Sequence, residues 1–327
     1  MILAGDIGGT KTICALFSRE AGPHLPLAEA TFPSSEYASL EAIVADFLAA
    51  HPAMIEAACF GVAGPVVEGR AAITNLLWVV EATRLSDQLV GAPVALINDL
   101  MAVAQAVPFL EADDLVTLNA GDPVAGGAIG VIAPGTGLGE AFLTMDHTRY
   151  RAHPSEGGHA SFSPTTPTEV GLIAYLLEQH SHVSHERVCS GIGIPNIYAF
   201  FRDRVFQHET PWVAERLATA DDATPVIVSS ALEPSGPCPV CSATLDCFIG
   251  IFGSETGNLA LKVLATGGVY LGGGIPPRLL PQLRGPRFLA AMQNKGRFRE
   301  LMERIPVHVI LNPKTALYGA AAYALMD

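Results

Sequence analysis

Three glycine-rich turns, each directly after a short apolar run, constrain this chain more than any other feature. They are Gly5-Asp6-Ile7-Gly8-Gly9-Thr10, Gly135-Thr136-Gly137-Leu138-Gly139 and Gly272-Gly273-Gly274. Glycine lets the backbone bring N–H groups close to phosphate oxygens. One such turn is ordinary in a chain with 32 glycines. Three turns at matching strand ends predict a nucleotide phosphate site.

Side chains in the first turn suit the same ligand. Thr10 offers a hydroxyl, Lys11 adds charge that can steer phosphate, and Asp6 is suited to hold Mg²⁺ directly or through water. Other phosphate motifs do not fit. The chain contains no Gly-Lys dipeptide and therefore no Walker A loop. The second turn is one residue short of the dinucleotide fingerprint, which disfavours an oxidoreductase.

The hydrophobic pattern predicts an α/β chain in which a strand–turn–strand unit occurs twice. A β-hairpin is expected over residues 1–19, and we expect further elements in the order that follows. Helix 39–51 is capped by Ser39. Strands are expected at 57–62, 94–97, 128–133, 141–143, 269–271 and 307–310, and helices at 100–107, 168–180, 193–205, 242–265, 286–302 and 318–323. Residues 205–240 are expected to be a surface loop.

Polar residues at the end of the 94–97 strand are candidates for catalysis. A carboxylate such as Asp99 can accept a proton from a hydroxyl, which phosphoryl transfer to an alcohol requires. The alternative is that Asn98-Asp99 only caps the helix that follows.

Two further elements suit a polyol. Glu156-Gly157-Gly158-His159 and Glu186 supply acceptors and a donor for adjacent sugar hydroxyls, and the glycine pair lets Glu156 and His159 reach one ligand. The alternatives are a surface turn with an incidental histidine, and a charge on a helix face that pairs with Arg187.

Taken together, the pattern resembles the bacterial glucokinase family of the actin/hexokinase superfamily over nearly the whole chain. The matching segments include Ala63-Gly64-Pro65, Thr74-Asn75 with Trp78, Ile97-Asn98-Asp99, Glu186-Arg187-Val188 with Ser190-Gly191, Gly257-Asn258-Leu259, and Lys295-Gly296-Arg297-Phe298. The resemblance implies a two-domain ribonuclease H-like α/β fold with a cleft between the domains. It implies a small domain of residues 1–109, to which 303–327 return, and a large domain of 110–302.

The resemblance also implies an ATP-dependent kinase that converts glucose to glucose 6-phosphate, with Asp99 as the base. It assigns sugar binding to Asn98, Asp99, Glu156, His159 and Glu186. It assigns ATP to Gly5, Asp6, Ile7, Gly8, Gly9, Thr10, Gly135, Thr136, Gly137 and Gly273. Mg²⁺ would arrive with ATP near Asp6, with no metal held by protein ligands alone. A homodimer is expected.

Composition narrows the partners. The chain has 327 residues, 50% hydrophobic and 16% charged, with a net charge of −13. Such a negative field disfavours nucleic acid and membrane surfaces. Without a signal peptide or membrane span, we expect a cytoplasmic protein with reduced cysteines. Cys238 and Cys241, with Cys247, resemble part of a zinc site, but packed thiols are the simpler interpretation.

Alternatives remain open at this point. The acceptor can be mannose, fructose or an N-acetylated amino sugar instead of glucose, and the donor can be ADP or polyphosphate. A sugar-sensing regulator is the alternative of another class. It is disfavoured because the first turn begins at residue 5, which leaves no room for a preceding DNA-binding segment.

Overall fold

The structure is a computed structural model that describes residues 1–73 and 76–326 as a mixed α/β protein. The Thr74-Asn75 pair of the family pattern lies outside the described residues. The strands, numbered along the chain, are β1 Ile2–Ile7, β2 Lys11–Phe17, β3 Ala28–Pro33, β4 Ala57–Val62, β5 Val66–Val67, β6 Arg70–Ala72, β7 Val79–Glu81, β8 Val94–Asn98, β9 Leu115–Asn119, β10 Ile129–Pro134, β11 Leu138–Asp146, β12 Arg149–Ser155, β13 Gly268–Leu271 and β14 Val307–Ile310.

The helices lie between and after these strands. They are α1 Leu40–Ala50, α2 Ala82–Gln88, α3 Asp99–Ala106, α4 Pro167–Leu177, α5 Gly193–Phe200, α6 Pro211–Ala218, α7 Ala223–Ala231, α8 Pro239–Val263, α9 Ile275–Arg278, α10 Leu280–Leu283, α11 Pro286–Gln293, α12 Arg299–Arg304 and α13 Thr315–Met326. Helices α4 to α8 follow one another in succession, as do α9 to α12. None of the described helices combines the length and apolar character that a membrane span requires.

Two compact units account for the chain. The first comprises Met1–Leu115, Leu143–Pro154 and the segment from Asn312 onward, and the second comprises Val116–Phe142 and Ser155–Leu311. The sheets of the described residues have the strand orders β3-β2-β1-β4-β8, β12-β11-β10-β13-β14-β9 and β5-β6-β7. The predicted domain boundaries near 109 and 303 stay predictions.

The β3-β2-β1-β4-β8 sheet of the first unit is covered on both faces. One face buries Leu40, Ile43 and Phe47 of α1, whose first turn is capped because the Ser39 hydroxyl accepts a bond from Ala42 N. The other face packs on α3 and α13. There Gly319 approaches so closely that a Cβ would overlap the Ala102 carbonyl oxygen.

Helix α8 forms the centre of the second unit and is buried along most of its length. Its Gly253 and Gly257 face carbonyl oxygens of α11 and the residues around it, where a Cβ on either glycine would overlap backbone. One acidic side chain, Glu255, is fully buried in this apolar helix. Such a group requires polar partners in the interior.

Most predicted elements are present, with three corrections. The first strand does not end before Gly5: β1 continues through Ile7. The expected surface loop 205–240 contains α6 and α7 instead. The expected helix 286–302 is broken, because Gly296 adopts φ 56° between α11 and α12.

Candidate active site

The first glycine-rich turn consists of Gly8, Gly9 and Thr10, between β1 and β2. Gly8 N donates to Lys11 O at 3.0 Å, which closes the turn. The buried Ser34 supports it from below: its hydroxyl donates to Gly8 O at 2.8 Å and its amide to Thr10 O at 3.0 Å. Sequence analysis missed Ser34, which carries no motif of its own.

Gly5, Asp6 and Ile7 were predicted to belong to that turn, but they lie inside the central strand β1. Gly5 pairs with Cys14 and Phe60 on the neighbouring strands. A Cβ at Gly5 would meet the Phe60 ring at 2.5 Å. The glycine is therefore required by close packing, and its role with phosphate stays a prediction.

Asp6 and Asp99 belong to the same end of this sheet. Ile7, Val62 and Asn98 are in register across the parallel strands β1, β4 and β8. Asp6, next to Ile7, and Asp99, next to Asn98, therefore lie at the same end of the strands. Burial and the charge of Asp99 raise the pKa of Asp6 to about 6, whereas the charge of Lys11 lowers it. Two carboxyl groups that repel each other at one strand edge can both be stabilised by a cation.

Asn98 and Asp99 also open helix α3, as the alternative interpretation held. Asn98 is the N-cap: its Oδ1 accepts from Leu100 N at 2.9 Å, and its Nδ2 donates to Gly64 O at 3.1 Å. Asp99 Oδ1 accepts from the same amide at 2.8 Å. Burial raises the pKa of Asp99, whereas these local bonds lower it. The residue as a whole nevertheless keeps surface open to solvent, so a ligand can reach it.

In the second unit, the predicted turn Gly135–Gly139 is shorter than expected, because Leu138 and Gly139 already belong to β11. The rest of the turn is held by neighbouring backbone. Gly191 N donates to Gly135 O at 2.7 Å. On the other side, Gly273 has φ 82° and lies so close to Pro134 that a Cβ would meet its carbonyl oxygen at 2.6 Å. The second and third glycine-rich turns, from sequence positions more than 100 residues apart, are thus neighbours in one unit.

The turn Glu156-Gly157-Gly158-His159 packs on the start of β11. A Cβ at Gly157 would overlap Glu140 Oε2, and one at Gly158 would overlap Leu138 O. The glycine pair is therefore required for this close approach, in addition to any effect on side-chain reach. Glu156 and His159 face solvent, with exposed fractions of 90% and 62%.

Glu186 joins this turn to the second glycine-rich loop. Its Oε2 accepts from Leu138 N at 3.0 Å, and its Oε1 lies 3.7 Å from His159 Nε2. His159 Nδ1 in turn lies 3.5 Å from Glu156 Oε2. The structure thus brings Glu156, His159 and Glu186 together beside Gly135–Gly139. The alternative pairing of Glu186 with Arg187 is not the contact that the structure forms.

The cysteines do not form a metal centre in the part of the chain that the structure describes, where no group of His, Cys, Asp and Glu has such an arrangement. Cys238 precedes α8, and Cys241 and Cys247 are buried within it. Burial raises the pKa of Cys247 to about 12, which keeps this thiol neutral.

The glucokinase family model matches residues 3–326. The chain belongs to the glucokinase family. The glucokinase of Nostoc punctiforme is 42% identical over 339 residues, which cover 99% of this chain and 98% of that protein. The glucokinase of Yersinia pestis is 36% identical over 98% of this chain and 95% of its own length. Family membership confirms the resemblance seen in the sequence.

Solved glucokinase structures share the fold. The glucokinase from an Antarctic psychrotroph has a TM-score of 0.88 and 33% identity, covering 100% of this chain and 99% of that chain. A ROK family glucokinase from Streptomyces griseus, solved in complex with glucose and AMPPNP, has a TM-score of 0.60 at 20% identity over 100% and 99%. The mixed α/β fold is therefore that of sugar kinases.

Proposed function

We propose that this protein transfers the terminal phosphate of ATP to the 6-hydroxyl of glucose and releases ADP and glucose 6-phosphate. Family membership supports the reaction class. The observation that carries the assignment to this chain is the grouping of Glu156, His159 and Glu186 beside the glycine-rich loop Gly135–Gly139. Such acceptors select a polyol, because an analogue without a hydroxyl leaves one of them unpaired.

Asp99 accepts the proton of the attacking hydroxyl in this proposal. Its carboxylate is fixed by Leu100 N, and the raised pKa makes it a better base than a free aspartate. Asn98 orients this residue through the helix cap and contributes to sugar binding. Glu156, His159 and Glu186 hold the other hydroxyls and so align the sugar for attack.

Phosphate binding is assigned to the turn residues. Gly8, Gly9 and Thr10, with Gly135, Thr136, Gly137 and Gly273, offer backbone N–H groups, and Gly5, Asp6 and Ile7 position the first turn from β1. Asp6 fits Mg²⁺, since its partly buried carboxyl faces the charge of Asp99. Mg²⁺ bound with ATP would neutralise charge on the phosphates.

A coupled assay of ADP release tests the proposal. Wild-type protein with Mg-ATP is tested against glucose, mannose, fructose and N-acetylglucosamine, and with ADP or polyphosphate as donor. We expect turnover selective for glucose and ATP. Preference for another hexose would change the assigned acceptor but keep the reaction. No turnover with any sugar would refute the kinase activity and favour a sugar sensor. The homodimer and a cytoplasmic location stay predictions.

The cleft between the domains also stays a prediction. Kinases of this class are expected to close over the sugar, because water in an open site competes for the phosphate. Small-angle scattering with and without glucose measures this closure. An unchanged radius of gyration at saturating glucose would contradict it.

A further inference from the structure

A buried polar cluster lies behind the Glu156–His159 turn. We call it the Glu255 cluster, and it consists of Glu140, His185, Glu255, Asn258 and Lys262. The exposed fractions of Glu140, His185 and Glu255 are 1%, 4% and 0%. Buried ionisable groups are rare without a compensating role, and none of these side chains is among the residues predicted to touch substrate.

Glu255 is the fixed anion of the cluster. His185 Nε2 lies 2.9 Å from its Oε2, Asn258 Nδ2 donates to Oε2 at 2.8 Å, and Lys262 Nζ donates to Oε1 at 3.2 Å. Burial opposes ionisation, but His185, Asn258 and Lys262 outweigh it and lower the pKa of Glu255 to about 2. Glu255 is therefore a carboxylate throughout the neutral range.

Glu140 is its opposite. Burial and the neighbouring carboxyl group of Glu255 raise its pKa to about 8, with Lys262 opposing. Its Oε1 has no hydrogen-bond partner among the described residues. A carboxylic acid that donates its proton to a carboxylate explains both facts, since two carboxylates cannot share such a site.

The other ionisable groups near Glu140 and Glu255 do not take the place of the proton between the two carboxyl groups. Cys189 lies near both carboxyl groups, which, together with burial, raise the pKa of its thiol. Lys295 is directed elsewhere: its Nζ donates to Ser254 O at 2.9 Å and to Asn258 Oδ1 at 2.7 Å. Glu169 is hydrogen-bonded to Thr165.

Glu140 and His185 of the cluster adjoin the proposed sugar site. Glu140 follows Gly139, and its Oε2 packs against Gly157. His185 precedes Glu186 in one helical turn, Ser184 to Val188. The cluster thus links the two segments that carry Glu156, His159 and Glu186.

We propose that Glu140 is a positioning residue for sugar binding, and that the proton it shares with Glu255 keeps the Gly157 turn and Glu186 in place. The inference rests on the proposed function. Loss of this proton puts two adjacent anions behind the turn and forces them apart. The turn moves with Glu140, and Glu156 and His159 leave the positions in which they bind the sugar.

The test is the pH dependence of kinetics in wild-type protein and in Glu140→Gln, whose amide donates permanently to Glu255. We expect the wild-type KM for glucose to rise about tenfold per pH unit above about pH 8, with kcat much less affected. Glu140→Gln is expected to retain glucose turnover at pH 7 and to lose this alkaline rise. The KM for ATP is measured alongside.

Glu169→Gln is the matched control, because Glu169 is a buried carboxylate of the same unit, 2% exposed. It should retain the wild-type alkaline rise. If Glu140→Gln retained the rise as well, the inference would fail while the kinase stood. If the wild type phosphorylated no sugar, the proposed function would fail, and the inference with it.

Calorimetry on the wild-type protein tests the same proton without a variant. Glucose is titrated at pH 8 in two buffers that differ in ionisation enthalpy. We expect proton uptake on binding, because the sugar-binding state holds the proton on Glu140. Glucose binding without proton uptake would overturn the inference.

Discussion

Replacing Gly158 with alanine tests whether the close approach of the proposed sugar-binding turn to β11 matters for function. A Cβ at this position would overlap Leu138 O, a backbone atom within a strand. The strand cannot yield as a flexible side chain does, so the turn must move by roughly 1 Å. A displacement of about that size costs about 100-fold in rate, or about 2.7 kcal/mol. Overpacking lowers the free energy of unfolding by about 1–3 kcal/mol.

The assay is steady-state kinetics at pH 7 with glucose varied, together with thermal unfolding. We expect kcat/KM for glucose to fall about 100-fold, while the KM for ATP changes little. Gly171→Ala is the control, since its Cβ would meet only the Phe200 ring at 3.2 Å. Wild-type kinetics in a folded Gly158→Ala protein would refute the argument.

Four further predictions follow from other contacts in the structure. Asp99→Ala should reduce kcat about 10²–10⁴-fold with glucose binding still detectable by calorimetry, whereas Asp113→Asn, an exposed acid of the same unit, should not. Near-normal kcat in Asp99→Ala would reject the base. Glu255→Ala should lower the free energy of unfolding by about 3–5 kcal/mol in denaturant titrations, because buried partners lose their anion. The pKa of Glu140 is raised from 4.5 to about 8, so folding favours its protonated form. As the pH rises from 4.5 to about 8, the free energy of unfolding of the wild type should therefore fall by about 1.4 kcal/mol per pH unit. In Glu140→Gln it should fall less. Ser39→Ala should cost about 1 kcal/mol by loss of the α1 cap.

The fold was predictable where the hydrophobic pattern agrees with the residues that end each element. Strands β4 and β14 were predicted at their observed bounds because their apolar runs end at glycine, proline or polar residues. Strand β12 was missed because its sequence, RYRAHPS, is largely polar and buries only one residue. Helices α6 and α7 were missed because prolines suggested a loop. Pro211 and Pro225 instead lie in the first turns, where proline is compatible with a helix.

The candidate site was predictable to the extent that motifs mark it. Glu156, His159 and Glu186 were selected from sequence, and the structure brings them together. Residues that support the turns from the interior were harder to select: Ser34 carries no motif, and it holds Gly8 and Thr10 through their backbone carbonyl oxygens. Glu255 had a signal that sequence analysis did not use, since an acidic residue inside an otherwise apolar helix requires buried partners.

The contrast between exposed and buried members of the site indicates how its geometry is set. Glu156 is 90% exposed, and a side chain of that kind samples many rotamers when no ligand is bound. Its backbone, by contrast, is fixed by two glycines pressed against Leu138 and Glu140. In the proposed function, the position from which Glu156 reaches the sugar is therefore determined by residues that are not proposed to contact it. Changes in those buried residues should alter sugar affinity without altering any proposed contact to the sugar.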